Sequence, residues 1–195
     1  MGIVELLGLA ASVSLISGWR LYLTVFVTGL AMRLGWISLP ENLQLLDTLT
    51  NPWILAISAL GALAEFFADK ILWLDSIWDT IHAVIRPLGG ALLALAVVDA
   101  GDPAWQVAVF LLGGGAALIS HSAKAGARAL VNTSPEPVSN ALVSTGEDIA
   151  SGSLLFLAFA NPLAALIIAS VLLVLCIILV YKGYRLWRRI VSSGS

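Results

Sequence analysis

The chain is poor in charge, with ten Lys and Arg and twelve Asp and Glu among 195 residues, or 11% of the whole. An average soluble domain carries about a quarter. With 59% hydrophobic residues and a mean hydropathy of +0.98, a soluble fold would lack the polar surface needed to cover itself. Short alternating strands are also missing, which excludes a membrane β-barrel. There is no basic stripe with interleaved aromatics, so nucleic acid is not expected as a partner. The lone Cys176 cannot form an internal disulfide. "MGIVELLGLAASVSLISGWR" has no basic start ahead of its apolar stretch, which argues against a cleaved signal peptide. Leu6 stands where a myristoylation motif needs Ser or Thr. Walker, dinucleotide-binding and zincin motifs are absent.

What remains is apolar runs. A helix crossing about 30 Å of hydrocarbon needs roughly 20 apolar residues. Spans are expected at about 21–37, 53–69, 83–99, 104–121, 140–160 and 162–181. A further run, 3–16, is short and suits a re-entrant or strongly thinned segment. Residues 3–37 are too long for one crossing, and Ser17-Gly18 is the natural break. The expected fold class is all-α: a polytopic helical membrane protein of about six spans plus a short N-terminal segment. It forms one transmembrane domain over 1–190, with 191–195 as a disordered tail or linker remnant. Residues 53–99 and 104–160 each read as apolar helix, polar connector and polar-faced helix. Two parallel helical-hairpin repeats, related by an axis near the membrane normal, are therefore expected.

Orientation follows the Lys and Arg distribution. "YKGYRLWRR" holds four of the ten basic residues, which places the C-terminus in the cytoplasm. Counting back puts "ANP", "DAGDP" and "LPENLQLLDTLTNP" outside, and none of these contains Lys or Arg. Arg33 alone dissents, near a helix end where it can snorkel.

The remaining charges are patterned. Asp75, Asp79, His82 and Arg86 recur at i, i+4, i+7 and i+11, one stripe of a helix. His121, Lys124, Arg128 and Asn132 form a second stripe. Asn140, Ser144, Glu147 and Ser151 form a third, with Asp148 beside it, and Glu65 and Asp69 are spaced i, i+4. A charge facing lipid at the bilayer centre costs about 2.5–3.5 kcal/mol on the insertion scale. These residues must therefore pair, meet water or sit at the rim. Seven acids (Glu136 among them) stand against five bases, Arg20, Lys70, Arg86, Lys124 and Arg128, which suggests an ion-paired network with acid left over. The plainer reading is interfacial charge and salt-bridge glue. "NTSPEPVSN" at 132–140 cannot be a continuous helix, because prolines flank Glu136. It reads as a helix-capping segment dipping into the bundle or as an ordinary turn. "LGG" and "LLGGGAA" read as close-packing surfaces, and Trp73 and Trp78 as an interfacial belt.

The motifs "SGWRLYL", "ADK…LDSIWDTIHAVIRP", "HSAKAGARALVNTSPEPVSN" and "GED" resemble a family of small bacterial integral membrane proteins known only as a domain of unknown function. The resemblance covers roughly 10–160, and its D-x-x-W-D-x-x-H-x-x-x-R-P pattern is specific. It implies a membrane location, which for a bacterium is the inner membrane, and supplies no site residues.

Transport of a small ion or solute is the leading expectation for function. Asp75, Asp79, His82, Glu147 and Asp148 would hold a cation, with Arg86 alongside, and a divalent metal on Asp75, Asp79 and His82 is one form of it. A membrane enzyme acting on a lipid or isoprenoid phosphate is a less favoured alternative, because "RP" at 86–87 lacks the companion motifs of a phosphatase. A non-catalytic scaffold is the third. The expected partners are the lipid bilayer, the small ion or solute, and a second copy in a homodimer.

Overall fold

The computed structural model describes residues 3–36, 44–98, 101–131 and 137–193. They form α1 (Ile3–Arg33), the single turn α2 (Gln44–Asp47) running into a 3-10 turn (Thr48–Thr50), α3 (Pro52–Ala68), α4 (Leu72–Val98), α5 (Pro103–Val131), α6 (Pro137–Ala160) and α7 (Pro162–Ser193). No strand occurs among the described residues. Segments of α1, α4, α5, α6 and α7 are long and apolar enough to cross a membrane, and α3 is a shorter apolar helix. The protein is a polytopic helical membrane protein.

Four helices begin with proline at their first position, where the missing N–H would have had no helical partner. Three of these starts carry an Asx cap. The Asn51 side chain accepts from Trp53 N at 2.9 Å, Asp102 Oδ1 from Ala104 N at 2.7 Å, and Asn161 Oδ1 from Ala164 N at 3.0 Å.

Straight, the 31 residues of α1 would reach about 46 Å at 1.5 Å per residue. They do not run straight, because Arg20 leaves the helical region (φ −142°, ψ 75°). On one side of it Ser14 Oγ donates to Gly90 O at 3.0 Å, and Leu7 and Ala10 line a cavity with Ala94 and Val98. On the other, Leu21 packs on Gly89, Val25 shares a cavity with Leu92 and Ala96, and Gly29 abuts Leu49 and Leu55. Both arms therefore climb α4 toward Val98, and α1 is a V whose apex is Arg20. The expected break at Ser17-Gly18 falls two residues later. The Ser17 hydroxyl donates back to Ser14 O at 2.7 Å and extends the first arm, whereas the Arg20 side chain reaches outward to acids on two other helices. Ile3, Arg33, Pro52, Val98, Pro103 and Pro162 consequently share one end of the molecule, here called the proline end.

This V lies at the centre and touches all five long helices around it. α3 and α4, joined by a three-residue turn, barely pack on each other because the second arm of α1 lies behind them, and α4 packs chiefly on α5. The expected repeat of 53–99 and 104–160 is not established by this packing. The polar connectors shrink as well. α4 is already helical at Leu72, not 83, and α5 continues to Val131. Their charges face the interior, so no loop is needed to keep them from lipid. α7 stays helical to Ser193.

The exterior is apolar along most of the bundle. Trp53, Ile57, Leu60 and Leu63 on α3, and Ile77, Ile81, Leu88 and Leu92 on α4, are exposed. Trp36, Trp53 and Trp105 ring the proline end, and Trp73, Tyr181 and Tyr184 are exposed toward the other, as in the aromatic belts of membrane proteins.

Candidate functional site

The stripes read from the sequence all turn inward. Asp75, Asp79, His82 and Arg86 on α4, His121, Lys124 and Arg128 on α5, Glu65 and Asp69 around the end of α3, and Arg20 at the apex are buried. Glu147, Asp148 and Lys70 are partly buried beside them. Asn132 and Glu136 lie outside the described residues, as does the side chain of Asn140.

Two groups of charges form. The first centres on Arg86, whose Nη2 donates to Glu65 Oε1 at 2.6 Å and whose Nη1 donates to Asp79 Oδ1 at 2.9 Å and to His121 Nδ1 at 2.7 Å. Because that histidine nitrogen accepts a hydrogen bond from a guanidinium, His121 is the neutral imidazole with its own hydrogen on Nε2. His82 points elsewhere. Its Nδ1 donates to Trp78 O at 2.7 Å and its Nε2 meets the Tyr22 hydroxyl at 3.1 Å. The Trp78 ring stacks on it at 4.4 Å, and Tyr22 approaches edge-on at 5.5 Å. Trp78 is thus not part of a belt, although Trp73 is exposed.

The second group centres on Asp69. Its Oδ2 takes Arg20 Nη1 at 2.5 Å, Lys124 Nζ at 2.8 Å and Arg128 Nη2 at 3.2 Å. Glu147 adds a contact to Arg128 at 3.2 Å, and Asp148 one to Arg20 at 2.8 Å. Lys70 stands 3.7 Å from Asp148 and 3.3 Å from Ser144 Oγ. Here the broken helix finds partners for its backbone. Lys124 Nζ donates to Trp19 O at 3.3 Å, at the negative end of the first arm, and Thr24 Oγ1 donates to Arg20 O at 2.7 Å. Broken backbone at membrane depth is tolerated only where such partners exist.

Several expectations change. The acids of α4 and of α6 do not converge on one cation. Asp79 goes to Arg86, and Glu147 and Asp148 go to the cations around Asp69. Asp75, Asp79 and His82 do not make a metal site, because His82 is turned into the aromatic group; among the described residues no three His, Cys, Asp or Glu gather closely enough to hold a metal. Periodicity placed each charge, and Ser144 among them, on its helix face but gave no sign of Tyr22, since an uncharged residue in an apolar run leaves no pattern.

Outside these contacts, a groove of about 540 Å³ runs between α4 and α5 on the side away from the proline end. Asp75, Asp79 and Thr80 line one wall, and His121, Ser122 and Arg128 the other. A second cavity of about 540 Å³, between the second arm of α1, α3 and α4, is almost wholly apolar and has Tyr22 in its wall.

A family model described as Domain of unknown function (DUF4126) matches residues 7–182. No curated protein and no solved structure matches the chain.

Proposed function

The chain belongs to the DUF4126 family, and from that premise we propose that it moves a small ion or solute across the membrane through the charged centre of the bundle. The observation that carries this reading is the reversal of α1 at Arg20, inside the network. Membrane proteins that bind and release small polar cargo place interrupted helices at the site, where half-helix ends and unwound backbone meet charge. A bundle needing only stability would be served by apolar packing, since replacing buried ion pairs by well-packed hydrophobes is often neutral or stabilising.

The charge balance supports a cationic or proton-coupled form of the reading. Among the described residues five cations, Arg20, Lys70, Arg86, Lys124 and Arg128, face six carboxylates, Glu65, Asp69, Asp75, Asp79, Glu147 and Asp148. With His121 neutral, a proton or small cation brings the network to zero. The same reading sets the chain in the bacterial cytoplasmic membrane, the basic end of α7 in the cytoplasm and the proline end outside, in keeping with the Lys and Arg distribution.

Purified protein in liposomes, loaded with a pH dye and given a potassium or ammonium gradient, tests the proposal. Flux is expected in the parent and in Asp47→Asn, which alters an exposed residue at the proline end. It is expected to fall by about tenfold or more in Glu147→Gln, the loss that follows removal of one charged contact of about 1.5–3 kcal/mol. No flux of proton, potassium or ammonium in the parent overturns the reading in favour of a scaffold held together by charge.

A further inference from the structure

The groove between α4 and α5 has a chemistry that the ion-paired network behind it does not use. Resting on the transport reading, we infer that this groove is a binding site for a small monovalent cation, either an alkali ion or a primary ammonium group, with Asp79, Thr80 and Ser122 as its oxygen ligands.

The argument begins with where the hydroxyl protons go. Thr80 Oγ1 donates to Ser76 O at 2.8 Å, and Ser122 Oγ donates to Leu118 O at 2.8 Å. Each hydroxyl has given its only proton to its own helix, so what it offers the groove is lone pairs alone. Asp79 is more than nine-tenths buried and lines the same groove. Its Oδ1 is held by Arg86 at 2.9 Å, which fixes the carboxylate plane from behind and leaves Oδ2 without a hydrogen-bond partner among the described residues. Two hydroxyl oxygens on facing helices and one carboxylate oxygen make a set of acceptors, which a cation or an N–H-rich head satisfies, while Arg128 in the same lining is turned to Asp69 and Glu147.

The charge and number of ligands favour a monovalent guest. A divalent ion of the calcium type takes six to eight oxygens, and carboxylates supply much of its charge. The lining holds two carboxylates, Asp75 and Asp79, and the second is shared with Arg86, which leaves the groove well short of such a set. Ala83, Ala125 and Ala129 in the lining keep it wide, so that a methylated ammonium also fits.

Titration calorimetry of the full chain in detergent decides the matter. Sodium, potassium, ammonium and methylammonium chlorides are added against a constant background of N-methylglucamine. At least one is expected to give saturable heat in the parent. Which one saturates separates the two sources, because ammonium and methylammonium without the alkali ions indicate a hydrogen-bonding head. Asp79→Asn is expected to weaken the binding by about tenfold or more, as for loss of a bond to a charged group. Should that variant fail to fold, the pair Thr80→Val and Ser122→Ala, which leaves Arg86 its partners, is expected to weaken it by a comparable factor. Binding unchanged in that pair, or no saturable heat from any of the four salts in the parent, overturns the site. A parent that binds no cation but still carries flux in liposomes overturns the site alone. A parent that binds one and carries none keeps the site and removes transport.

Discussion

At the scale of single residues, Arg86 is held by three partners within the bundle. It is fully buried and divides its guanidinium among Glu65, Asp79 and His121, each from a different turn or helix. Removing one partner of a buried pair leaves the other charge without compensation, at about 3–5 kcal/mol. Arg86→Met is expected to lower stability by that amount, read by reversible unfolding in detergent. Glu65→Gln in the same chain is expected to recover part of the loss, since the neutral amide no longer needs a cation. An Arg86→Met protein as stable as the parent refutes this account of the core. Spacing on α4 predicted that Arg86 faces inward next to Asp79, and it does. Its bond to Glu65 was not legible, because nothing in a linear spacing tells how the end of α3 is placed against the middle of α4.

Among elements, α1 decides the architecture, and glycine decides how closely it is held. A Cβ on Gly18 would run into Ala117 O and Ser120 Oγ on α5. The backbone carbonyl cannot withdraw, so Gly18→Ala must push the arm away from α5. Overpacking of this kind costs about 1–3 kcal/mol, and the melting temperature of the variant is expected to drop accordingly. Gly126→Ala meets nothing within 4 Å and is expected to melt with the parent. Equal melting of all three proteins would mean that the arm does not pack where it is described. The sequence made the helices visible through apolar length, and three expected starts, 53, 104 and 162, fall within a residue of the Asx-capped prolines that open α3, α5 and α7. It hid the lengths of α4 and α5. A stripe of charge at helical spacing looks the same whether its helix lies in a loop or within the bundle, and only the facing stripes on α3, α5 and α6 settle which.

The whole molecule has an asymmetry that the composition alone could not give. Both arms of α1 return to the proline end, so Val4 and Thr48 belong on one side of the membrane and Arg185 on the other. In a Cys176→Ser background, single cysteines at these three positions test this with an impermeant maleimide on intact cells. Val4→Cys and Thr48→Cys are expected to label together, and Arg185→Cys only after permeabilisation. Val4→Cys and Thr48→Cys labelling from opposite sides would mean that α1 crosses the bilayer once and has no apex.

That apex bears on the order of synthesis. Arg20 precedes its Ser144 contact by 124 residues, and Asp148 lies beyond that. Lys124, which caps the carbonyl of Trp19, follows 105 residues after it. Until these arrive, an arginine at the turning point would face lipid at about 2.5–3.5 kcal/mol on the insertion scale. The apex of α1 therefore gains partners for its charge only as α3, α5 and α6 are added, and the turn is completed by residues far from it in the chain.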